Sequence, residues 1–358
     1  MASHHHYSSL PPLTSDERSR ARDVLSRIID RTNHSGSKGG YNRHLLVRHT
    51  YAYAQSDLSR DNFLRGSFTF MGFDISSEDD VNMDDDQIPS KFIHFADLLL
   101  EQFFFPLKAS GKITPQPTSA QLSAMQSIQS SHEIISMSEQ GSYLQDLCLV
   151  RDQYRCVISR IFDASQEVKR TDQHGLDAQD DVGNLLRDEN RFEELKVAHI
   201  FPHSLTQMNV NLQLGNSRQT TIGILNMFDC DVVHLIDSPH NAISLTPTFH
   251  KLFGNFDIYF DAVAGEEHTY CIDGFLNPIS AARRGLPVTR KLLLSEEHMI
   301  NAPSPRLLAL HRAIAHILHL SGAGEYINKI LQEFEETGAQ KDGSTDLGRI
   351  LTLRLGLV

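Results

Sequence analysis

This chain has no tryptophan, only four cysteines, no long apolar run and no surplus of positive charge. Each shortage excludes something. Without Trp, the large aromatic packing falls mostly to 19 Phe residues. Cys148, Cys156, Cys230 and Cys271 are too few and too scattered for a disulfide framework and contain no Cys-x-x-Cys pair. Reduced thiols, in the cytoplasm or nucleus, are therefore expected. No segment reaches the roughly 18 to 20 apolar residues of a membrane span, and Met1 to Tyr7 holds no apolar stretch of signal type. Neither a membrane partner nor secretion is expected. The net charge of −12 removes the whole-protein field that would draw in a polyanion, while leaving room for a local basic strip.

What is present fits a soluble chain of two domains, or of one domain with extensions. The 358 residues are 40% hydrophobic and 22% charged, which is ordinary for a globular protein. The expected class is α+β, in three regions. Residues 1–140 are expected to be mostly helical. Thr14-Ser15-Asp16-Glu17 starts a helix that carries Val24, Leu25, Ile28 and Ile29 and ends in the Gly/Ser-rich stretch 34–40. Seven acids between Asp74 and Asp86 match no EF-hand spacing and read as a solvated loop. A buried helix is expected over 91–107, stopped by Pro106. A Ser- and Gln-rich linker follows over 110–142.

Residues 141–280 have a different texture. The spacing predicts a helix end and hairpin over 147–159, an inserted polar loop over 171–190 and a strand over 196–200. A second short strand is predicted over 242–245, and Pro247 opens a helix. A closing hairpin is predicted around Gly265. Residues 281–358 are expected to be helical, with Ser304 and Pro305 opening one helix and Glu325 a second.

The chemistry gathers in the middle region. Val197-Ala198-His199-Ile200-Phe201-Pro202 is followed by His240-Asn241-Ala242-Ile243-Ser244-Leu245 and then by Phe249-His250-Lys251-Leu252-Phe253. A compact nuclease site can use such an order. One His removes a proton from water, the Asn holds that His, and the second His grips a divalent metal. Asn241 and His250 are nine residues apart, enough for a strand, a turn and the first turn of a helix. Each residue also has a plainer role open to it: a structural histidine, a turn asparagine or a packing residue on a helix.

Together with Cys148-Leu-Val-Arg151-Asp152-Gln-Tyr-Arg-Cys156-Val-Ile-Ser159, these segments resemble the HNH endonuclease family, in the variant common in filamentous fungi. The resemblance covers about residues 145–275, with a weaker tail around Leu307 to Glu325 and nothing in residues 1–140. It implies a ββα-metal core with added hairpins, flanked by helical N- and C-terminal regions. On that pattern His199 is the general base, Asn241 holds the His199 ring or the adjacent chain, and His250 is a metal ligand. Three departures stand out. Ala198 and Gly254 occupy positions that hold further ligands in many members, and Cys156-x-x-Ser159 is the only remnant of a zinc knuckle. Mg²⁺, which tolerates few protein ligands, is the first choice, with Mn²⁺ and Zn²⁺ as alternatives. His203 is the added metal-ligand candidate, with Glu194 and Asp257 behind it.

Three functions stay open at this stage. The first is a metal-dependent nuclease acting on nucleic acid, DNA before RNA. The second is a repurposed HNH-like enzyme or accessory factor of fungal specialised metabolism, acting on a small molecule. The third is a non-catalytic interaction protein. Arg283, Arg284, Arg290 and Lys291 form the best candidate for phosphate contact. His316 with His319 on a helix face, and Cys230 near His234, are weaker sites. The oligomeric state is not readable.

Overall fold

The computed structural model describes residues 11–32, 40–77, 81–112, 144–202, 223–225, 227–228, 238–295 and 299–337. The chain separates into two compact units, each built from segments distant in sequence. Unit 1 gathers residues 1–109, 202–234 and 309–358, and unit 2 gathers 110–201 and 235–308. The expected linker, apart from its first residues, lies outside the described residues, as do His203, Cys230 and His234.

Unit 1 is helical. Helix Ser15–Thr32 opens with a reciprocal cap: the Thr14 hydroxyl accepts from the Glu17 amide, and the Glu17 carboxylate accepts from the Thr14 amide. Its buried face is Ala21, Leu25, Ile28 and Ile29. Helices Arg43–Ala52, Asp57–Met71 and Ile88–Leu99 pack with it. Their apolar faces meet in a Phe-rich core, with Phe63 edge-on to Phe95. The Asp61 carboxylate is fully buried there and takes both the Arg18 guanidinium and the Leu13 amide.

Pro106 does not stop its helix, contrary to the sequence expectation. The α-helix Ile88–Leu99 widens into a π-turn over Leu100–Phe104, where the Phe105 amide bonds the Leu100 carbonyl, and continues as helix Phe105–Lys112. The wider turn falls just ahead of the residue without an N–H, so the ladder is re-spaced there rather than ended. The acidic stretch holds side-chain turns: Asp74 accepts from the Ser76 amide and Asp85 from the Gln87 amide. These local bonds fit a solvated loop.

Unit 2 mixes short strands with helices. Residues 144–151 are helical. Then β1 (Phe162–Asp163) leads into helix Ala164–His174, capped by the Asp163 side chain at the Gln166 amide. The predicted loop over 171–190 therefore begins inside a helix. That helix buries none of its residues, so no apolar stripe marks it in sequence. β2 (Phe192–Glu193) pairs in parallel with β1. β3 (Lys196–His199) pairs antiparallel with β4 (Ala242–Leu245), with His199 opposite Ala242 and Val197 opposite Ser244. Helix Pro247–Gly254 follows at once and packs on both strands.

A three-stranded meander closes the unit: β5 (Ile258–Ala262), β6 (Thr269–Gly274) and β7 (Val288–Lys291). Ile258 and Phe260 alternate inward against Tyr270 and Ile272. Gly274 is required by contact, because a Cβ there would lie 2.3 Å from the Asp257 carbonyl oxygen. β7 corrects the expectation that residues 281–358 are helical throughout. It is a four-residue edge strand whose last two positions, Arg290 and Lys291, read as a basic cluster rather than as a strand. The two C-terminal helices are Pro305–Leu320 and Ala323–Thr337.

The buried polar centre of unit 2 is Arg151 with Asp152. Both carboxylate oxygens of Asp152 accept from the Arg151 guanidinium, at 2.8 and 2.9 Å. The remaining Arg151 bonds go to the carbonyls of Pro239 (2.8 Å), Ala242 (2.8 Å) and Asn301 (3.3 Å). Asp152 also accepts from the Ser244 amide at 2.9 Å. Removing the guanidinium leaves a carboxylate in a dry interior. Arg151→Met should therefore lower unfolding stability by about 3–5 kcal/mol in a urea titration; a loss under about 1 kcal/mol would contradict this assignment.

Candidate active site

β3 is the strand on which the site residues meet. Among the described residues it has a single partner strand, so part of its main chain needs other bonds. The segment that carries Asn241 supplies several. The Asn241 carbonyl accepts from the Ile200 amide at 2.8 Å. The Asn241 side chain, fully buried, accepts from the Phe201 amide at 2.8 Å and donates to the Phe201 carbonyl at 2.7 Å. That two-way bond imitates a sheet pairing and continues the β3–β4 ladder past its last residue.

His250 approaches the same strand from the helix. Pro247 sits at the first helical position, and the His250 amide makes an early helical bond, to the Thr246 carbonyl, at 2.8 Å. Phe249 and Phe253 are buried on either side, and Phe253 meets Phe260 edge-on. This packing turns the half-buried His250 ring toward β3, where it bonds the main chain of Val197. Burial holds its pKa below the ordinary histidine value, and the nearby Lys196 ammonium pushes the same way. A bond from the imidazole to the main chain opposes both only in part. The ring is neutral near pH 7, with one nitrogen engaged and the other left as a lone-pair donor.

Three of the four predicted site residues can thus be placed. His250 is anchored at Val197 and Asn241 at Ile200 and Phe201, with half-buried His199 between them on the strand. Val197 and His199 point to one face, roughly 7 Å apart along a strand. His203, the fourth, lies outside the described residues. Ala198 is buried and brings no donor atom, and Gly254 ends the helix. Glu194 is exposed and accepts from Ser165. Among the described residues no three His, Cys, Asp or Glu side chains group as a metal cluster. His316 bonds the Arg312 carbonyl and its ring lies 5.2 Å from that of Tyr53, so it has structural partners of its own.

The turn after Arg151-Asp152, at the Cys156-x-x-Ser159 segment, is closed by its own hydrogen bonds. The Cys156 sulfur accepts from the Ser159 amide at 3.4 Å, and the Cys156 carbonyl from the Arg160 amide at 3.0 Å. The Val157 amide bonds the Ser244 carbonyl, which lays the turn beside β4. Sequence reasoning assigned Arg151 and Asp152 no role. The available signal was a pair of adjacent opposite charges inside an otherwise apolar stretch, which is costly unless both are used.

Residues 156–261 match the HNH endonuclease family. This part of the chain, which carries Asn241, His199 and His250, is HNH endonuclease-like. At the level of the family, such domains suggest nuclease-type activity, typically act on nucleic acids and generally use a divalent metal. No curated protein and no solved structure matches the chain. Among the described residues no helix is long and apolar enough to cross a membrane.

The depressed His250 pKa has a measurable consequence. An unfolded chain takes up a proton at this residue below about pH 6.5, while the folded chain resists it. Stability contributed by neutral His250 is therefore full above that value and declines as pH falls toward the folded pKa. His44 and His49 are depressed by burial in the same direction. The test is a comparison: His250→Gln should show a shallower fall in melting temperature between pH 6.5 and 5. Parallel curves for the variant and the parent would rule the effect out.

Proposed function

We propose that this protein is a divalent-metal-dependent phosphodiester hydrolase acting on DNA, with His199 as general base. The observation that carries the proposal is the meeting of Asn241 and His250 on the five residues around His199, within a segment that matches the HNH endonuclease family. The β3–β4 pair and helix Pro247–Gly254 are our candidate for the ββα-metal core.

The donor set can be weighed against the metal the family implies. His250 offers a neutral imidazole whose orientation is fixed by its bond to Val197, which is how metal-binding histidines are commonly held. Ala198 and Gly254 offer nothing, so a closed tetrahedral zinc site does not fit these positions. A largely hydrated ion that takes one imidazole and substrate phosphate asks less of these positions, and Mg²⁺ or Mn²⁺ would be such an ion. When bound, the ion would polarise a phosphoryl oxygen and stabilise the leaving alkoxide.

The rest is the work of the chain. His199 accepts the proton of the attacking water on a ring nitrogen, a task suited to an imidazole. Asn241 positions it through Ile200 and Phe201, fixing how the chain leaves β3. Lys196, close enough to act on His250, adds positive charge where phosphate would approach.

A second reading places acid–base chemistry on a small molecule at the same pocket. The missing donors at Ala198 and Gly254 favour it. Plasmid cleavage separates the two. With Mg²⁺ or Mn²⁺ the parent should nick supercoiled DNA, and His199→Ala should lose roughly 10²–10⁴-fold in rate. Cleavage that persists in His199→Ala, or no cleavage with either metal, would refute the nuclease proposal.

A further inference from the structure

The turn at Cys156 and β7 are joined by two crossed arginines. Arg160, at the tip of the turn, donates to the Lys291 carbonyl. Arg290, beside Lys291, donates back to the Ile158 carbonyl at 2.8 Å. Two guanidinium groups are thereby held in one patch of unit 2. Every hydrogen bond they make goes to a main-chain carbonyl, Arg290 adding that of Thr289. Among the described residues neither has a carboxylate partner, although the other well-buried arginines of this unit, Arg151, Arg155 and Arg170, are all paired with acids.

Three further features mark Arg160. Its Nη1 is buried and, among the described residues, has no hydrogen-bond partner. Its φ of 66° lies in the left-handed region that favours glycine, so a large side chain stands where the backbone would prefer none. Its pKa is depressed, first by burial and then by Arg290, the electrostatic sign of two like charges kept close. A solitary structural bond to the Lys291 carbonyl explains none of these. An anion between the two guanidinium groups relieves the repulsion. Lys291 is exposed beside them and adds a third positive charge.

We infer that Arg160 and Arg290 form a phosphate-binding site, which holds one backbone phosphate of the nucleic acid. The source of the phosphate rests on the nuclease proposal; the oxyanion site does not. The turn lies beside β4 through the Val157–Ser244 bond, and β4 pairs with the strand bearing His199. A phosphate held here sits in the same domain as the proposed chemistry and fixes substrate register rather than reacting.

Two measurements on the full chain test it, using Arg160→Gln, Arg290→Gln and, as a control for loss of one surface charge, Arg22→Gln. The first is melting temperature with and without inorganic phosphate. Each variant is compared with itself, so a change in baseline stability does not matter. Phosphate should stabilise the parent and Arg22→Gln but neither site variant. The second is binding to a short DNA duplex in EDTA across salt. The parent and Arg22→Gln should share one slope, and each site variant should lose about one unit from it. Raising salt from 50 to 200 mM would then cost a site variant roughly fourfold less affinity than it costs the parent.

If the phosphate response disappears but the DNA slope is unchanged, the bound phosphate is not a nucleic-acid backbone and that assignment is overturned. If the parent responds to phosphate yet binds no duplex, the nuclease proposal fails and the oxyanion site stands. If the site variants match the parent in both measurements, the inference is wrong.

Discussion

The organisation of unit 2 depends on a buried ion pair that cannot be left unsatisfied. Arg151 and Asp152 are both sealed from solvent, and their remaining hydrogen-bonding capacity is spent on main-chain groups at Pro239, Ala242, Ser244 and Asn301. Three of those four residues bracket Asn241. The segment that reaches across to Ile200 and Phe201 is thus held from behind by charge and from the front by a carboxamide. A charged pair placed in a dry interior gives little net stability, but it penalises every arrangement in which its partners are missing. Here that penalty fixes where β4 begins and, through β4, where β3 ends.

The same logic accounts for the turn Cys156–Ser159. A metal-bound knuckle keeps a tight turn closed by coordination. In this chain the turn Cys156–Ser159 is closed by main-chain bonds, by the buried side chains of Cys156, Val157 and Ile158, and by the arginine tethers from β7. Burial and hydrogen bonding hold this turn. Burial drives the thiol of nearby Cys148 up to about 12, which keeps it protonated and inert.

Much of this was legible along the sequence where the signal is local. The strand over 196–200, the strand over 242–245 and the helix opened by Pro247 are found at Lys196–His199, Ala242–Leu245 and Pro247–Gly254. Each carries its own cue, either an apolar run bounded by turns or a proline at a helix start. The hairpin around Gly265 was legible for the same reason, its φ of 80° needing glycine. The partners that depend on distance were not. Nothing near Arg151 says that its guanidinium ends on carbonyls about ninety residues away, and nothing near Arg160 points to β7. Pro106 misled because a proline is read one residue at a time, whereas the π-turn that accommodates it belongs to the preceding five. The order His, Asn, His suggested a shared pocket; Asn241 bonds the chain just past β3 and His250 bonds Val197 within it.

The central claim is that His199 and His250 face one cation site beside β3. It is tested most directly by titrating Mn²⁺ into protein labelled at the histidine rings and following paramagnetic broadening by NMR. The rings of His199 and His250 should broaden together at low Mn²⁺, while the exposed His319, on a helix outside the matched segment, stays sharp. Broadening that spares His250, or that spreads evenly over all histidines, would contradict the account.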